Sequence, residues 1–218
     1  MIVVSDLMGT LTTGSPVLGL VDWVRSKQSK IQANLYMARM IPGYIGAKSK
    51  LIDWQTWGQK MMIESLALIK EATPQKMTEV SEWIVEKNLW EKRRSDVIAR
   101  LMLYAENNAE VYIASSVFQP AVEAFAKRIG AKAIGTPVEI VDGRIRLASE
   151  LVKAEKKIER VLASLGVERI DVAYGDSMPD VPLLEHAEHP VAVYPDDKLR
   201  ALAKLRGWEI IGETTSYP

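Results

Sequence analysis

The feature of this 218-residue chain that most restricts its fold is a repeated alternation of short β-rich runs with helical patterns. These runs lie at Ile2–Ser5, 111–114, 133–134, 171–174, 191–193 and 208–211, and most are followed by a stretch with helical periodicity. Continuous apolar runs such as Ile2-Val3-Val4 are typical of strands that are covered on both faces. The pattern predicts an α/β fold: a doubly wound parallel sheet with crossover helices at 119–129 and 153–165.

The interval between the first two predicted strands departs from this rhythm and has a helical pattern throughout. Amphipathic stretches occupy 17–40, 54–71 and 74–87, with breaks at Ile41-Pro42-Gly43 and at Ala72-Thr73-Pro74. We predict a helical cap at 16–90, inserted after the first strand of an α/β core made of 1–15 and 91–218. Alternating runs on either side of Asp142-Gly143 predict a β-hairpin at 138–147.

Charge and residue usage exclude several classes of function. The 28 lysine and arginine residues balance 28 aspartate and glutamate residues, so no global field attracts nucleic acid or an anionic membrane, and neither is expected as a partner. The absence of cysteine excludes disulfides, thiolate zinc sites and thiol nucleophiles, and two histidines make a histidine-rich metal site improbable. The chemistry must therefore use carboxylates, hydroxyls and lysines. The N-terminal run lacks the basic and apolar regions of a signal peptide, which predicts a cytoplasmic protein.

Carboxylates follow two of the predicted strands, at the edge where such sheets bind ligands. The first strand leads into Asp6, with Gly9 just beyond it to let a ligand approach the backbone. The strand at 171–174 leads into Asp176 and Asp180, which are four residues apart. An acidic pair opposite Asp6 would hold a hard cation such as magnesium.

Hydroxyl groups and lysines are expected near the same edge. The second predicted strand ends at Ser115 and Ser116 before a helix, which offers hydroxyls and helix-start N–H groups to a phosphate. The helix that leads into the strand at 171–174 opens with Lys153, Lys156 and Lys157. Taken alone, a serine in this position is more typical of a helix N-cap, and the lysines are typical of solvated surface.

The four groups and their order resemble the haloacid dehalogenase-like (HAD) superfamily, in particular its phosphoserine phosphatase-like branch, over essentially the whole chain. The run Asp-x-x-Gly-Thr-Leu-Thr at 6–12 resembles the nucleophile motif, and Ser115 resembles the hydroxyl motif. Lys153 resembles the lysine motif, and Gly-Asp-Ser-Met-Pro-Asp at 175–180 resembles the acidic motif. The helical insert between the first two motifs is similar to the cap of that branch.

The resemblance implies a magnesium-dependent phosphatase that acts on a small phosphorylated metabolite. Asp6 would attack phosphorus and form an aspartyl-phosphate, which water then hydrolyses. Lys153 is preferred to Lys156 and Lys157 because the latter two would lie about one helical turn farther from the edge. The implied catalytic groups are Asp6, Ser115 and Lys153, and the further substrate contacts are Ser116, Gly9 and Thr10. The implied magnesium ligands are Asp6, Asp176 and the backbone carbonyl of Met8, with Asp180 as a further ligand or as a residue that supports the ligands.

Met8 departs from the family pattern, in which phosphatases carry a second aspartate two residues after the nucleophile as general acid and base. A thioether cannot transfer protons, and general acid–base catalysis is worth roughly 10²–10⁴-fold in rate. The predicted ligand at this position is a backbone carbonyl, so the change should affect turnover more than metal binding.

Three hypotheses follow from Met8. The favoured one is a phosphatase that is slow, prefers good leaving groups, or borrows an acid from the cap. The second is phosphonatase-type chemistry, in which a cap lysine forms a Schiff base. A metal-free dehalogenase is disfavoured because Asp176 is retained. The third is a phosphometabolite-binding or partner-docking protein without activity. The cap lysines considered for the second hypothesis are Lys27, Lys30, Lys48, Lys50 and Lys60.

Overall fold

A computed structural model describes residues 1–152 and 154–212, without the side chain of Gln55. Its strands are β1 (Ile2–Ser5), β2 (Glu110–Phe118), β3 (Lys132–Thr136), β4 (Val138–Val141), β5 (Arg144–Leu147), β6 (Ile170–Gly175), β7 (Ala187–Val193) and β8 (Glu209–Ile211). Six of them form one parallel sheet in the order β3-β2-β1-β6-β7-β8. The predicted α/β fold with a doubly wound parallel sheet is confirmed.

The helices between β1 and β2 are α1 (Pro16–Trp23), α2 (Lys30–Lys48), α3 (Trp54–Leu66), α4 (Pro74–Ile84) and α5 (Ser95–Glu106), with π-helical turns at Val24–Gln28 and Val85–Leu89. The later helices are α6 (Gln119–Lys127), α7 (Ala154–Leu165), α8 (Val181–Glu185) and α9 (Asp197–Arg206). Among the helices that residues 1–152 and 154–212 form, none is long and apolar enough to cross a bilayer.

Alternation along the strands places apolar side chains on both faces of the sheet. Val3 on β1 belongs to a hydrophobic cluster that also contains side chains from α1 and from α3 to α6. Its neighbour Val4 belongs to a second cluster, formed with α7, α8 and α9. The helices that precede α5 thus share a continuous apolar core with one face of the sheet. The division into a core of 1–15 and 91–218 and a cap of 16–90 stays a prediction.

The break between α1 and α2 differs from the predicted one. A single helix was expected over 17–40, with a break at 41–43. The chain instead turns at Ser29, whose side chain accepts a hydrogen bond from the backbone N–H of Gln32. Helix α2 then continues through Pro42 to Lys48. The N-cap at Ser29 stabilises the start of α2, and the buried side chains of Met40 and Ala47 support the helix on either side of Pro42.

The structure also tests the predicted hairpin and the predicted length of the second strand. The hairpin is confirmed: β4 and β5 pair antiparallel, and Asp142 and Gly143 both have positive φ, as a tight hairpin turn requires. Strand β2 is longer than expected and runs through Ser115 to Phe118. Its register with β3 shifts between Ala114 and Phe118, which indicates a bulge or local irregularity where the strand approaches the sheet edge.

Candidate active site

The candidate site lies at the carboxyl ends of β1 and β6, where the strand order of the sheet changes direction. Ser5, the last residue of β1, pairs with Tyr174 of β6 on one side and with Ile113 of β2 on the other. Asp6 continues β1, and its N–H donates to the carbonyl of Tyr174 over 2.9 Å. This register brings the residues that follow three neighbouring strands to one edge.

Three buried carboxylates converge there. Asp6, Asp176 and Asp180 expose 5 %, 9 % and 2 % of their surface. One oxygen from each lies within 4.8 Å of the other two. The expectation that Asp6 and Asp176 face each other across the β1/β6 boundary therefore holds. A cluster of this kind concentrates negative charge in a region from which water is largely excluded, so it needs a cation.

Lys157 supplies one positive charge to this cluster. Its Nζ lies 2.6 Å from Asp6 Oδ1 and 2.6 Å from Asp180 Oδ1, and the residue is 4 % exposed. The second oxygen of Asp180 accepts hydrogen bonds from the backbone N–H groups of Asp176, at 3.2 Å, and Ser177, at 3.4 Å. Asp180 thus orients both Lys157 and the start of the loop that carries Asp176.

The sequence-based expectation for the position of Lys157 needs a correction, whereas the role of Lys153 stays a prediction. The expected distance of Lys157 from the edge is wrong because Lys157 contacts Asp6 directly; Lys153 lies outside the described residues. A helical side chain leans toward the N-terminus of its helix, so a lysine one turn inside α7 can reach back to the sheet edge. The periodicity of α7 could have identified it: Lys157 precedes Val161 by four residues and shares its buried face, whereas Lys156 is exposed and pairs with Glu150.

Burial and mutual repulsion perturb the titration of the cluster. Burial is the largest effect on Asp6 and raises its pKa to about 6, against the attraction of Lys157 and with the added repulsion of Asp180. Burial, with repulsion from Asp180 and Asp6, raises the pKa of Asp176 well above its usual value. Burial alone would lower the pKa of Lys157, but the carboxylates of Asp180 and Asp6 outweigh it and raise that pKa. The ammonium therefore stays charged at any physiological pH.

The loop after Asp6 contains an internal backbone hydrogen bond and also bonds to the side chain of Asp176. The N–H of Leu11 donates to the carbonyl of Leu7 over 2.9 Å, and the hydroxyl of Thr10 donates to Asp176 Oδ1 over 3.1 Å. Gly9 has a φ of +89°, and a Cβ at this position would overlap the carboxylate of Asp176. Glycine is thus required here both for its backbone angle and for the close approach. The expected substrate contacts of Gly9 and Thr10 stay predictions.

Arg94 is a residue near this loop that the sequence did not reveal. Its Nε donates to the carbonyl of Gly9 over 2.8 Å, and its guanidinium lies 3.8 Å from the centre of the Tyr194 ring. The Tyr194 hydroxyl in turn donates to Asp96. Arg94 precedes α5, and a single arginine outside any motif gave no signal that it would contact the loop that follows β1.

Met8 and the serines occupy the expected region of the fold. Met8 is half-buried and packs against the larger hydrophobic cluster, while its backbone forms a bridge with Thr12. Ser115 is 1 % exposed and lies in β2, four residues before Gln119 begins α6, so it is not the N-cap of that helix. The carbonyl of Ser116 accepts a hydrogen bond from the Thr136 hydroxyl over 2.8 Å. The expected ligand role of the Met8 carbonyl, and phosphate binding by both serines, stay predictions.

Solved structures share this fold. A protein of unknown function from Bordetella pertussis Tohama I aligns with a TM-score of 0.76 and 21 % identity, over 97 % of each chain. A phosphoserine phosphatase carrying an analogue of its phospho-aspartyl intermediate aligns with a TM-score of 0.58 and 15 % identity, over 97 % of this chain and 92 % of that one. At these identities the alignments support a common architecture.

Sequence comparison adds closer relatives. A putative hydrolase of Mycobacterium leprae is 29 % identical over 154 residues, which is 67 % of this chain and 51 % of that protein. A phosphoserine phosphatase of Mycobacterium tuberculosis is 30 % identical over 139 residues, which is 61 % of this chain and 44 % of that protein. The matches span about half the length of these relatives. The family model for haloacid dehalogenase-like hydrolases matches residues 3–185, which include Asp6, Lys157 and both aspartates after β6. The resemblance seen in the motifs is thus confirmed, and the chain belongs to the haloacid dehalogenase-like hydrolases.

Proposed function

We propose that this protein is a magnesium-dependent phosphatase that cleaves a small phosphate ester through an aspartyl-phosphate on Asp6. One observation supports this assignment above all others. Asp6, Asp176 and Asp180 are buried together at the carboxyl ends of two neighbouring strands, and Lys157 bridges two of them. A purely structural network would gain little from three buried carboxylates with one cation, because the desolvation of such groups is costly.

The residues fit a divalent cation by charge and by ligand type. Fully ionised, the three carboxylates and one ammonium carry a net charge of minus two, and the raised pKa values of Asp6 and Asp176 show that this ionised state lacks positive charge in the metal-free protein. Carboxylate and carbonyl oxygens are the ligands that Mg²⁺ prefers. We assign Asp6, Asp176 and the carbonyl of Met8 as ligands. Asp180 acts as a further ligand or as the group that orients the others, and its hydrogen bonds favour the second role. The bound ion would withdraw charge from the phosphoryl oxygens.

Asp6 is the proposed nucleophile. Its carboxylate forms a bond to phosphorus while the ester P–O bond breaks, and the leaving oxygen takes up a proton. Water then attacks phosphorus, releases inorganic phosphate and regenerates the carboxylate. Lys157 offsets the repulsion between this anionic nucleophile and an anionic substrate, the role assigned to Lys153 on the sequence alone. Ser115 and Ser116, with Gly9 and Thr10, are the proposed phosphoryl contacts.

Met8 makes slow turnover part of the proposal. Protonation of the leaving oxygen falls to water or to another side chain, so esters with good leaving groups should be cleaved fastest. The phosphonatase alternative loses support, because the five lysines considered for a Schiff base are all exposed. A Schiff-base lysine needs a lowered pKa, which burial in an apolar pocket commonly supplies. The binding-protein alternative retains its support from Met8.

The test is phosphate release from a panel of phosphate esters, with Mg²⁺ and with excess chelator. We expect Mg²⁺-dependent release that Asp6→Asn abolishes and that Asp197→Asn, an exposed control, leaves unchanged. Release that survives Asp6→Asn would exclude the covalent mechanism. Binding of phosphate esters without release of phosphate from any of them would favour the binding protein. Borohydride trapping of a phosphonate substrate on a lysine would favour phosphonatase chemistry.

A further inference from the structure

Helix α2 carries an apolar face directed away from the rest of the protein. Ile31, Leu35, Ile41 and Ile45 expose between 55 % and 74 % of their surface. With 3.6 residues per turn they fall within a sector of about 120°. Tyr36 lies on the opposite, buried face and donates its hydroxyl to the carbonyl of Met61 in α3. The helix therefore packs on the protein with one face and presents a second apolar face to its surroundings.

The loop between α2 and α3 extends this apolar surface. Leu51 is 84 % exposed, and Ile52 lies beside it at 41 %. Tyr44 and Trp54 are also exposed, and their ring centres are 5.9 Å apart. Aromatic side chains with a polar tip are enriched where an apolar phase meets water. The exposed apolar side chains of α2 and of this loop form one surface, which we call the α2 face.

Basic residues predominate in the segment that carries the α2 face, whose nearest acidic residue along the chain is Asp53, between Ile52 and Trp54. Residues 23–52 contain no aspartate or glutamate, although the whole chain is electrically balanced. On α2 itself, Arg39 flanks one side of the apolar sector, and Lys30 and Lys48 flank the other. The basic side chains of this segment are Arg25, Lys27, Lys30, Arg39, Lys48 and Lys50. Long basic side chains on either side of an apolar stripe are typical of helices that lie in a membrane interface.

We propose that the α2 face docks on an anionic lipid surface, with α2 parallel to the membrane and Leu51 and Ile52 inserted among the lipids. Eight large apolar side chains are exposed in α2, in the loop after it and at Trp54, whereas exposed apolar residues on ordinary surfaces are scattered singly. A second copy is a poorer occupant, because a symmetric pair would bring Lys30, Arg39, Lys48 and Lys50 against the same four residues. An anionic surface complements both the apolar and the basic component.

A shallow depression beside α2 offers a further contact site for a lipid. It has a volume of about 460 Å³, and Ile31, Leu35 and Leu68 supply apolar walls. Arg39 lines the same depression. Its other lining residues are Ser29, Gln32 and Tyr36. Apolar side chains beside a guanidinium are suited to contact a molecule with a hydrocarbon chain and an anionic headgroup. The overall neutrality of the chain, which predicted no membrane partner, hides this local segregation.

Cosedimentation with lipid vesicles tests the proposal without reference to phosphatase activity. The chain is mixed with vesicles of phosphatidylcholine alone or with about 30 mol% phosphatidylglycerol, which carries the anionic charge. We expect binding to the anionic vesicles that weakens when salt is raised to about 0.5 M. Equal partition to both vesicle types, or no binding to the anionic vesicles, would overturn the proposal.

Matched variants distinguish vesicle binding through the α2 face from nonspecific adsorption of the protein to lipid. Leu51→Ser with Ile52→Ser should lower the partition coefficient at least 10-fold, and Lys48→Gln with Lys50→Gln about 30-fold. Leu205→Ser and Lys204→Gln on α9 are controls: Leu205 is also 84 % exposed, and both should stay within about twofold of wild type. Equal losses in the control variants would refute the proposal. So would a dimer in light scattering that the Leu51 and Ile52 changes convert to monomer, because the face would then belong to a second copy.

Discussion

Replacing Lys157 with methionine should make the stability of this protein depend more strongly on Mg²⁺ than that of the wild type. Methionine keeps much of the length and volume of the lysine stem and removes only the charged end. Lys157 is 4 % exposed, and its Nζ contacts Asp6 and Asp180 at 2.6 Å. Without it, the buried carboxylates have lost the only cation that is seen to contact them among the described residues.

The loss is large because both partners are buried. Removal of one member of a buried ion pair costs about 3–5 kcal/mol. For a chain of this length, each kcal/mol shifts Tm by roughly 2–4 °C, so we expect a loss of about 6–20 °C in the absence of divalent cations. The removal of Lys157 raises the pKa of Asp6 further, so this loss should be larger at pH 8 than at pH 5. Mg²⁺ should reduce the difference from wild type by neutralising the carboxylates.

Thermal unfolding followed by circular dichroism, with Mg²⁺ and with chelator, measures these effects. Lys156→Met is the matched control, since this neighbouring lysine is exposed and forms a surface pair with Glu150. Such a pair is worth at most about 1 kcal/mol, so the control should melt within about 4 °C of wild type. If Lys157→Met melts as the control does in the absence of metal, the ion pairs at Lys157 do not stabilise the fold, and the assignment of Lys157 to the site fails.

Three further predictions concern the same edge of the sheet. The pKa of Asp6 is about 6 in the folded protein and 3.8 in the unfolded chain, so protonation of Asp6 stabilises the metal-free fold below about pH 4. The free energy of unfolding should fall by about 3 kcal/mol as the pH rises from 4 through 6. Asp6→Asn should remove this part of the pH dependence of Tm. Gly9→Ala, whose Cβ would overlap Asp176, should destabilise the protein by about 1–3 kcal/mol and abolish the Mg²⁺-induced rise in Tm; an unchanged rise would show that Gly9 does not shape the metal site. Met8→Asp should raise kcat on esters with poor leaving groups by about 10²-fold, with Met8→Leu as the packing control, and no gain would mean that proton transfer does not limit turnover.

The extent to which this site could be predicted varies with the kind of interaction. Asp6 and Asp176 were placed correctly, because parallel strands carry the residues that follow them to a common edge, whatever the rest of the fold does. Lys157 was misplaced because its reach depends on where α7 begins and on the direction of its side chain. Arg94 gave no signal at all, since its contact with the Gly9 carbonyl joins residues 85 positions apart.

The alternation of strands and helices along the chain, the hairpin at Asp142-Gly143 and the family were determined by the sequence alone, because local periodicity, turn chemistry and motif spacing are properties of short segments. Only the tertiary structure decided that Lys157 bridges Asp6 and Asp180, that α2 continues past Pro42, and that its apolar face is left uncovered. Each of these depends on which side chains from distant parts of the chain compete for the same space. Such competition is resolved by packing, and periodicity in one segment shows only which face is buried, not which distant residues that face contacts.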